Sequence, residues 1–126
     1  MARIMVCDDD KKMAEDLIVH LRAAGYEAQT CSHTMDVLRE AANGHFDLVA
    51  LGLDLPGFVR ANAVEAFREV APDVALIAFH NHPAEVMQAM ARANVAAVLS
   101  RPVAAKDFIE AVTRALEQQQ AMALQI

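Results

Sequence analysis

The stretch FDLVALGLDLPG, residues 46–57, runs from an apolar segment into a loop and carries the pattern that points most directly to the fold. A short apolar run that ends in a Pro-Gly pair is typical of a strand buried on both faces of a sheet. Gly52 closes the run, and Asp54 follows two residues later. The stretch therefore predicts a buried strand whose carboxyl end is a glycine, Gly52, which has no side chain.

Strand-like and helix-like segments alternate on both sides of this stretch. Besides residues 46–52, four other runs have the length of a strand: residues 3–7, 26–31, 74–79 and 95–100. The intervening segments repeat apolar residues three and four positions apart, as an amphipathic helix does. The repeating residues are Met13, Leu17, Leu21 and Ala24; Val37, Leu38 and Ala41; Val64, Phe67 and Val70; Val86, Met90 and Ala93; and Phe108, Val112 and Leu116. This alternation predicts an α/β domain in which helices cover both faces of a parallel sheet.

Three kinds of residue mark the expected ends of these helices. Two side chains are suited to cap a helix start, two prolines suit a first helical turn, and three residues accept the left-handed conformation after a helix end. They are, in that order, Asp10 and Thr34; Pro83 and Pro102; and Gly25, Gly44 and Asn94.

The length and composition are those of one globular domain. The 126 residues are 56% apolar and 22% charged, which excludes a disordered or low-complexity chain. The net charge of −6 argues against binding to nucleic acid, and no apolar run approaches the length of a membrane span. We expect a cytoplasmic protein whose domain occupies residues 1–120, with residues 121–126 as an extension of the last helix or the start of a linker.

The two cysteines, Cys7 and Cys31, end two of the predicted strands. They lack the C-x-x-C spacing of a zinc site or a redox motif. We expect reduced thiols with a structural role, because free cysteines are commonly buried.

Polar residues follow four of the predicted strands, where ligand sites form in open α/β sheets. They are Asp8, Asp9 and Asp10; Asp54; His80, Asn81 and His82; and Ser100 and Arg101. Together with their surroundings, RIMVCDDD, FDLVALGLDLPG, PDVALIAFHNHP and VAAVLSRPV, they resemble the receiver domain of two-component response regulators over essentially the whole chain. The resemblance implies a flavodoxin-like (βα)5 fold, with a doubly wound parallel five-stranded sheet in the strand order 2-1-3-4-5.

The resemblance also implies roles for particular positions. In the family, two acidic residues hold Mg²⁺, an Asp at the end of strand three accepts a phosphoryl group from a kinase, and a Thr or Ser and a Lys bind the phosphoryl oxygens. An aromatic residue three positions before the Lys changes rotamer when the domain switches to its phosphorylated state. Asp8 and Asp9 match the acidic pair, Pro56 and Gly57 match the turn that follows the phosphorylated strand, and Pro102 matches the proline after the Lys. The four other positions differ, and they are occupied by Gly52, His80, Arg101 and Val98.

These departures change the chemistry that the resemblance implies. Glycine has no side chain to attack phosphorus, so an acyl phosphate cannot form at Gly52. Val98 has no ring to change rotamer, and the planar fork of Arg101 differs from the compact ammonium group of Lys. We expect Arg101 to neutralise Asp8 and Asp9, and we expect His80 and Arg101 to occupy the space beside Gly52.

Three other site assignments remain open from the sequence. Asp54 could replace the missing phosphoacceptor, although it lies roughly 6–7 Å further along the chain at the rise of a strand; the alternative is a solvated or capping carboxylate. Asp8 and Asp9 could bind a divalent cation such as Mg²⁺ weakly; alternatively, Arg101 or Lys12 holds the two carboxylates, or one of them is partly protonated. His80 and His82 could ligate a transition metal, or His80 could fill space while His82 or Asn81 caps the next helix.

The sequence thus supports three functional hypotheses. The first is a phosphorylation-independent receiver domain with no enzymatic activity and no required cofactor. It would bind a kinase, an output domain or a second copy of itself through the fourth helix, fifth strand and fifth helix. The second is a ligand- or metal-responsive sensor that uses the crevice of Asp8, Asp9, Asp54, His80 and Arg101. The third is a receiver that is phosphorylated at Asp54.

Overall fold

The computed structural model of the chain describes residues 1–31, 33–53 and 60–123. The strands are β1 (Arg3–Cys7), β2 (Glu27–Cys31), β3 (Leu48–Gly52), β4 (Ala75–His80) and β5 (Ala97–Ser100). The helices are α1 (Lys11–Ala23), α2 (Thr34–Ala42), α3 (Arg60–Val70), α4 (Pro83–Arg92) and α5 (Ala105–Ala123). The predicted alternation of strand and helix is confirmed, and the differences at strand ends are of one or two residues.

The five strands form one parallel sheet in the order β2-β1-β3-β4-β5, as the resemblance implied. Because side chains alternate between the faces of a strand, the apolar residues of β1 and β3 supply two separate cores. One core contains Met5 and Val49 with side chains of α2, α3 and α4, and the other contains Ile4 and Leu48 with side chains of α1 and α5. The sheet is therefore doubly wound.

Most helix boundaries follow the predicted residues. The carboxylate of Asp10 accepts the Met13 N–H and caps α1, and Pro83 is in the first turn of α4. A positive φ lets the chain leave a helix and enter the next strand. In the described ranges it is adopted by Gly25 at +95°, Gly44 at +73° and Asn94 at +58°.

Two boundary predictions and two core predictions are wrong. His33 is the N-cap residue of α2, so Thr34 begins the helix and does not cap it. Pro102 follows a cis peptide bond and lies before α5, which begins at Ala105. Ala24 is exposed because it lies past the end of α1, and Val70 is 43% exposed because Ala71 takes the buried position next to it.

The last helix extends to Ala123, so residues 121–123 continue α5, and residues 124–126 lie outside the described part of the chain. None of the helices in the described ranges has both the length and the apolar character that a membrane span requires.

Candidate functional site

The carboxyl ends of four parallel strands bring the predicted site residues to one edge of the sheet. Asp8 follows β1, Gly52 and His80 end β3 and β4, and Arg101 follows β5. The register pairs Cys7 with Leu51, Gly52 with Phe79, and His80 with Ser100. Residues far apart in the sequence therefore meet because the strands end level with one another.

The space above Gly52 is occupied by an ion pair between Arg101 and Asp8. A β-carbon added at Gly52 would lie 2.5 Å from Arg101 Nη2 and 2.8 Å from Asp8 Oδ2. Both distances are shorter than a normal van der Waals contact, so a side chain at this position would have to displace one or both residues. The absence of a side chain at residue 52 is what allows Arg101 to reach Asp8 along this path.

The Arg101–Asp8 pair is buried and joined by a short hydrogen bond. Arg101 Nε donates to Asp8 Oδ2 at 2.9 Å, and the two side chains are 12% and 0% exposed. The second oxygen of Asp8, Oδ1, accepts the Asp10 N–H at 3.1 Å. Both carboxylate oxygens of Asp8 are thus engaged by groups of the protein.

Opposing influences act on the carboxyls of Asp8 and Asp9. Burial raises the pKa of Asp8, and its hydrogen bond with Asp9 raises that pKa further, whereas the Asp10 N–H and the Arg101 guanidinium lower it. The same hydrogen bond with Asp8 lowers the pKa of Asp9, which is exposed, and the charge of Arg101 also lowers it. Folding therefore favours a proton on Asp8 over a proton on Asp9.

His80 supports the turn between β4 and α4. The His80 ring is buried, at 3% exposure, and its Nδ1 accepts the His82 N–H at 2.8 Å. The three atoms nearest to the added β-carbon at Gly52 belong to Arg101 and Asp8, so the expectation for this space is confirmed for Arg101. For His80 it stays a prediction.

The prediction that His82 or Asn81 caps α4 is confirmed for the position of His82 and not for a side-chain hydrogen bond. His82 is the N-cap residue but makes no side-chain capping hydrogen bond. Asn81 Oδ1 instead accepts a long hydrogen bond of 3.4 Å from Arg101 Nη1. Sequence reasoning missed this contact because helix capping seemed the first use for Asn81, although its place after a strand was itself the available signal.

Val98 lies in β5, opposite Ala78 of β4, and packs against the core on the α2–α3–α4 face. Its side chain is partly buried. An aliphatic side chain at this position contributes packing and has no ring that could exchange between buried and exposed rotamers.

The described residues do not fit the Mg²⁺ that the resemblance implies. Within the described residues, no group of three or more His, Cys, Asp and Glu side chains could hold a metal ion. The Arg101 guanidinium also donates to one Asp8 oxygen and the Asp10 N–H donates to the other, whereas hard cations require several free oxygen ligands. Asp54, Pro56 and Gly57 lie outside the described residues.

Comparisons with known proteins agree with the observed fold. The model of the response regulator receiver domain family matches residues 4–113. A response regulator receiver protein of Anaeromyxobacter sp. (strain Fw109-5) is 28% identical over 111 residues, which cover 87% of this chain and 47% of that protein. The transcriptional activator protein PfeR of Pseudomonas aeruginosa is 34% identical over 66 residues, which cover 52% of this chain and 22% of PfeR.

Solved structures share the fold at low sequence identity. The CheY-like receiver domain protein of Methanospirillum hungatei superposes with a TM-score of 0.87 at 22% identity, covering 97% of this chain and 98% of that one. NtrX of Brucella abortus superposes with a TM-score of 0.85 at 21% identity, covering 97% of this chain and 28% of NtrX. The chain spans about half or less of the length of the curated relatives that it matches. Since the family model covers most of the chain, the protein belongs to the response regulator receiver domain family.

Proposed function

We propose that this receiver domain acts without phosphorylation, as a protein-interaction module in two-component signalling, and that it is not an enzyme. The observation that carries the proposal is the ion pair above Gly52: where the family has a nucleophilic carboxylate, this chain has a glycine, covered by Arg101 and Asp8. Phosphoryl transfer requires a nucleophile in line with phosphorus, and this strand end supplies none.

The same ion pair supports a fixed conformation. In the described structure Asp8 is held from both of its oxygens, and Arg101 is held by Asp8 and Asn81. With Val98 in place of a ring, the groups that would respond to a phosphoryl group are absent or engaged. The domain would therefore present one surface constantly, and regulation would come from its concentration or from its partner.

The partner surface that we propose consists of α4, β5 and α5. Strand β5 is at the edge of the sheet and its four residues are partly buried or exposed, and Met87 on α4 is 58% exposed. Candidate partners are a kinase, an output domain or a second copy of the chain, and the greater length of the curated relatives supports an output domain. The net charge of −6 supports a protein partner over nucleic acid.

Intact mass spectrometry after incubation with acetyl phosphate and Mg²⁺ tests the proposal. A receiver with an Asp at the end of β3 serves as the positive control and gains one phosphoryl group. We expect no phosphoryl adduct on this chain, before or after chemical trapping of acyl phosphates. An adduct that disappears in Asp54→Asn would contradict the proposal and establish the hypothesis of phosphorylation at Asp54. An adduct that persists in Asp54→Asn would also contradict it and would place the acceptor elsewhere.

A further inference from the structure

The two cysteines, which are 24 positions apart in the sequence, are direct neighbours in the sheet. Cys7 is the last residue of β1, Cys31 is the last residue of β2, and the parallel register pairs them with each other. Both side chains belong to the core on the α2–α3–α4 face, so they project from the same side of the sheet. Adjacent strands lie about 4.7–4.9 Å apart, which falls inside the Cα separation of about 4.4–6.8 Å that a disulfide requires.

The two thiols differ in exposure. Cys7 is fully buried, whereas Cys31 is partly buried and Cys31 Sγ lies 3.5 Å from the carbonyl oxygen of His33 at the surface end of the strand. Both cysteines are free thiols in this structure. An oxidant arriving from solvent therefore meets Cys31 first, and Cys7 lies directly behind it.

The pKa values of the two thiols also differ: the more exposed thiol, Cys31, is the more acidic one. A hydrogen bond from the Cys7 thiol lowers the pKa of Cys31 to about 6, and the backbone of His33 lowers it too, against burial and the charges of Asp36 and Glu40. The same hydrogen bond raises the pKa of Cys7, and so do burial and the charge of Asp8. Because the thiolate is the reactive form of cysteine, Cys31 is the nucleophile at neutral pH and Cys7 remains a thiol.

We propose that Cys31 is a site of oxidation by peroxides and that Cys7 is its resolving partner, so that the pair forms a reversible disulfide between β1 and β2. The Cys31 thiolate attacks one oxygen of the peroxide, the O–O bond breaks, and Cys31 becomes a sulfenic acid while the other oxygen leaves as hydroxide or alkoxide. The Cys7 sulfur then attacks the Cys31 sulfur, and the S–S bond replaces the S–OH bond. The Cys7 proton leaves with the hydroxyl group as water. The dithiol loses two electrons, the peroxide gains them, and a dithiol reductant reverses the change by exchange.

The location gives this site a consequence for the rest of the domain. Cys7 directly precedes Asp8, whose carboxylate holds Arg101 above Gly52. A bond between Cys7 and Cys31 would fix the carboxyl ends of β1 and β2 next to the ion pair. The proposed oxidation does not depend on whether the domain is phosphorylated, so it can fail or succeed independently of the proposed function.

Peptide mapping under non-reducing conditions tests the proposal on the unaltered chain. The reduced protein is treated with an equimolar amount of hydrogen peroxide, quenched by alkylation, digested and analysed by mass spectrometry. We expect monomeric protein in which Cys7 and Cys31 are linked within one chain, and we expect dithiothreitol to restore both thiols. A free Cys7 beside an overoxidised Cys31, or a disulfide between two chains, would overturn the proposal, and so would two thiols that survive the treatment.

Two matched variants separate the roles of the thiols. In Cys7→Ser the sulfenic acid on Cys31 has no partner, so we expect it to accumulate and to form an adduct with dimedone. In Cys31→Ser we expect the remaining Cys7 thiol to react at least tenfold more slowly than Cys31 does in Cys7→Ser. Equal rates in the two variants would contradict the assigned order. Circular dichroism confirms that each variant is folded, and the mapping of the unaltered chain remains decisive if a variant is not.

Discussion

At the scale of single residues, Gly52 matters through what it leaves room for. Residue 52 closes a strand that is buried along its whole length, and a buried Asp8 carboxylate and the Arg101 guanidinium lie within 3 Å of the place where its β-carbon would be. Glycine near the end of a strand often marks such a close approach of other groups. Here those groups are charged, so packing and electrostatics at this position cannot be changed separately.

The first prediction concerns Gly52→Ala. Arg101 could swing away from the new methyl group only by leaving the buried Asp8, so we expect a loss of about 1–3 kcal/mol in the free energy of unfolding, as for other overpacked sites. Urea denaturation measures the loss.

A double-mutant cycle supplies the control for this prediction. In the background of Arg101→Ala the guanidinium is already gone, so Gly52→Ala should cost less than it does alone, because residues in contact are not additive. Equal costs in both backgrounds would mean that Arg101 does not occupy the space above Gly52.

The second prediction concerns the pH dependence of Arg101→Ala. This change leaves Asp8 buried without its cation, and the expected loss of stability at neutral pH is about 3–5 kcal/mol. Burial already raises the pKa of Asp8 above its ordinary value of 3.8, and loss of the guanidinium raises it further. The stability linked to the Asp8 proton is fully present below pH 3.8 and is lost as the pH rises through the folded pKa.

The difference in the free energy of unfolding between Arg101→Ala and the parent protein should therefore be largest at neutral pH. It should shrink as the pH falls through the Asp8 pKa. Urea midpoints at a series of pH values measure it. The lowered pKa of Asp9 acts in the opposite direction; its main cause, the hydrogen bond with Asp8, remains in the variant, and only the smaller contribution of the Arg101 charge is lost. The control compares Asp8→Asn with the double variant Asp8→Asn/Arg101→Ala, and the stability difference between these two should not change with pH. If the difference between the parent and Arg101→Ala did not change with pH either, the prediction would be contradicted.

At the scale of elements, Arg68 on α3 joins three segments that the sequence separates. Its Nε donates to the Ala93 carbonyl at 3.0 Å, its Nη1 to Val74 at 2.6 Å and its Nη2 to Asn94 at 3.0 Å. One guanidinium thus satisfies carbonyl groups at the start of β4 and at the end of α4, where no further helical N–H is available. Because these turns position α4 and β5, Arg68 holds the proposed partner surface in place.

The third prediction concerns Arg68→Ala and Arg68→Lys. Hydrogen bonds to a charged group contribute about 1.5–3 kcal/mol each, so we expect Arg68→Ala to lose at least that amount of unfolding free energy. Arg68→Lys should recover only part of it, because an ammonium cannot reproduce the planar fork. Thermal and urea denaturation measure both changes.

Arg92→Ala is the matched control, since Arg92 is exposed in the last turn of α4 and surface changes usually stay within about 0.5 kcal/mol. If Arg68→Ala were no more destabilising than Arg92→Ala, the three hydrogen bonds would not hold these segments together.

At the scale of the whole molecule, two cores pack against one sheet and the site lies at the sheet's carboxyl edge. The buried strands β1, β3 and β4 carry backbone positions of the site, and the two charged side chains of the ion pair, Asp8 and Arg101, follow β1 and β5. A rigid support of this kind suits the constant surface that we propose for this domain. It also gives a global readout, because anything that binds to the folded edge raises the stability of the whole domain.

The fourth prediction is that Mg²⁺ does not stabilise the domain. Both Asp8 oxygens are engaged by the protein, so a cation would have to replace Arg101. A site saturated at 100 times its dissociation constant would add about 2.7 kcal/mol and raise the melting temperature by several degrees. We expect the melting curve in Mg²⁺ to match that in sodium chloride of equal ionic strength. A rise specific to Mg²⁺ that Asp8→Asn abolishes would instead support the hypothesis of a metal-responsive sensor.

The sequence by itself determined the class of fold, because apolar periodicity and end signals act over a few residues. The run FDLVALG and the stripe of Leu17 and Leu21 needed no tertiary information, and neither did the cap at Asp10. The strand order came from resemblance, since local patterns do not specify which strands pair. Thr34 and Pro102 were misplaced for a related reason: several residues near a helix start satisfy the same local rule.

The tertiary structure alone decided the geometry in which side chains meet, including that of the Asp8–Arg101 pair, which the resemblance had led us to expect. Asp8 and Arg101 are 93 residues apart, Arg68 reaches a carbonyl 25 residues away, and Cys7 finds Cys31 only because two parallel strands share a register. Side-chain contacts of this kind depend on strand order, register and rotamer together, and a one-residue shift in register would separate every such pair. The sequence showed a glycine at the end of β3, and the fold placed a buried ion pair above it.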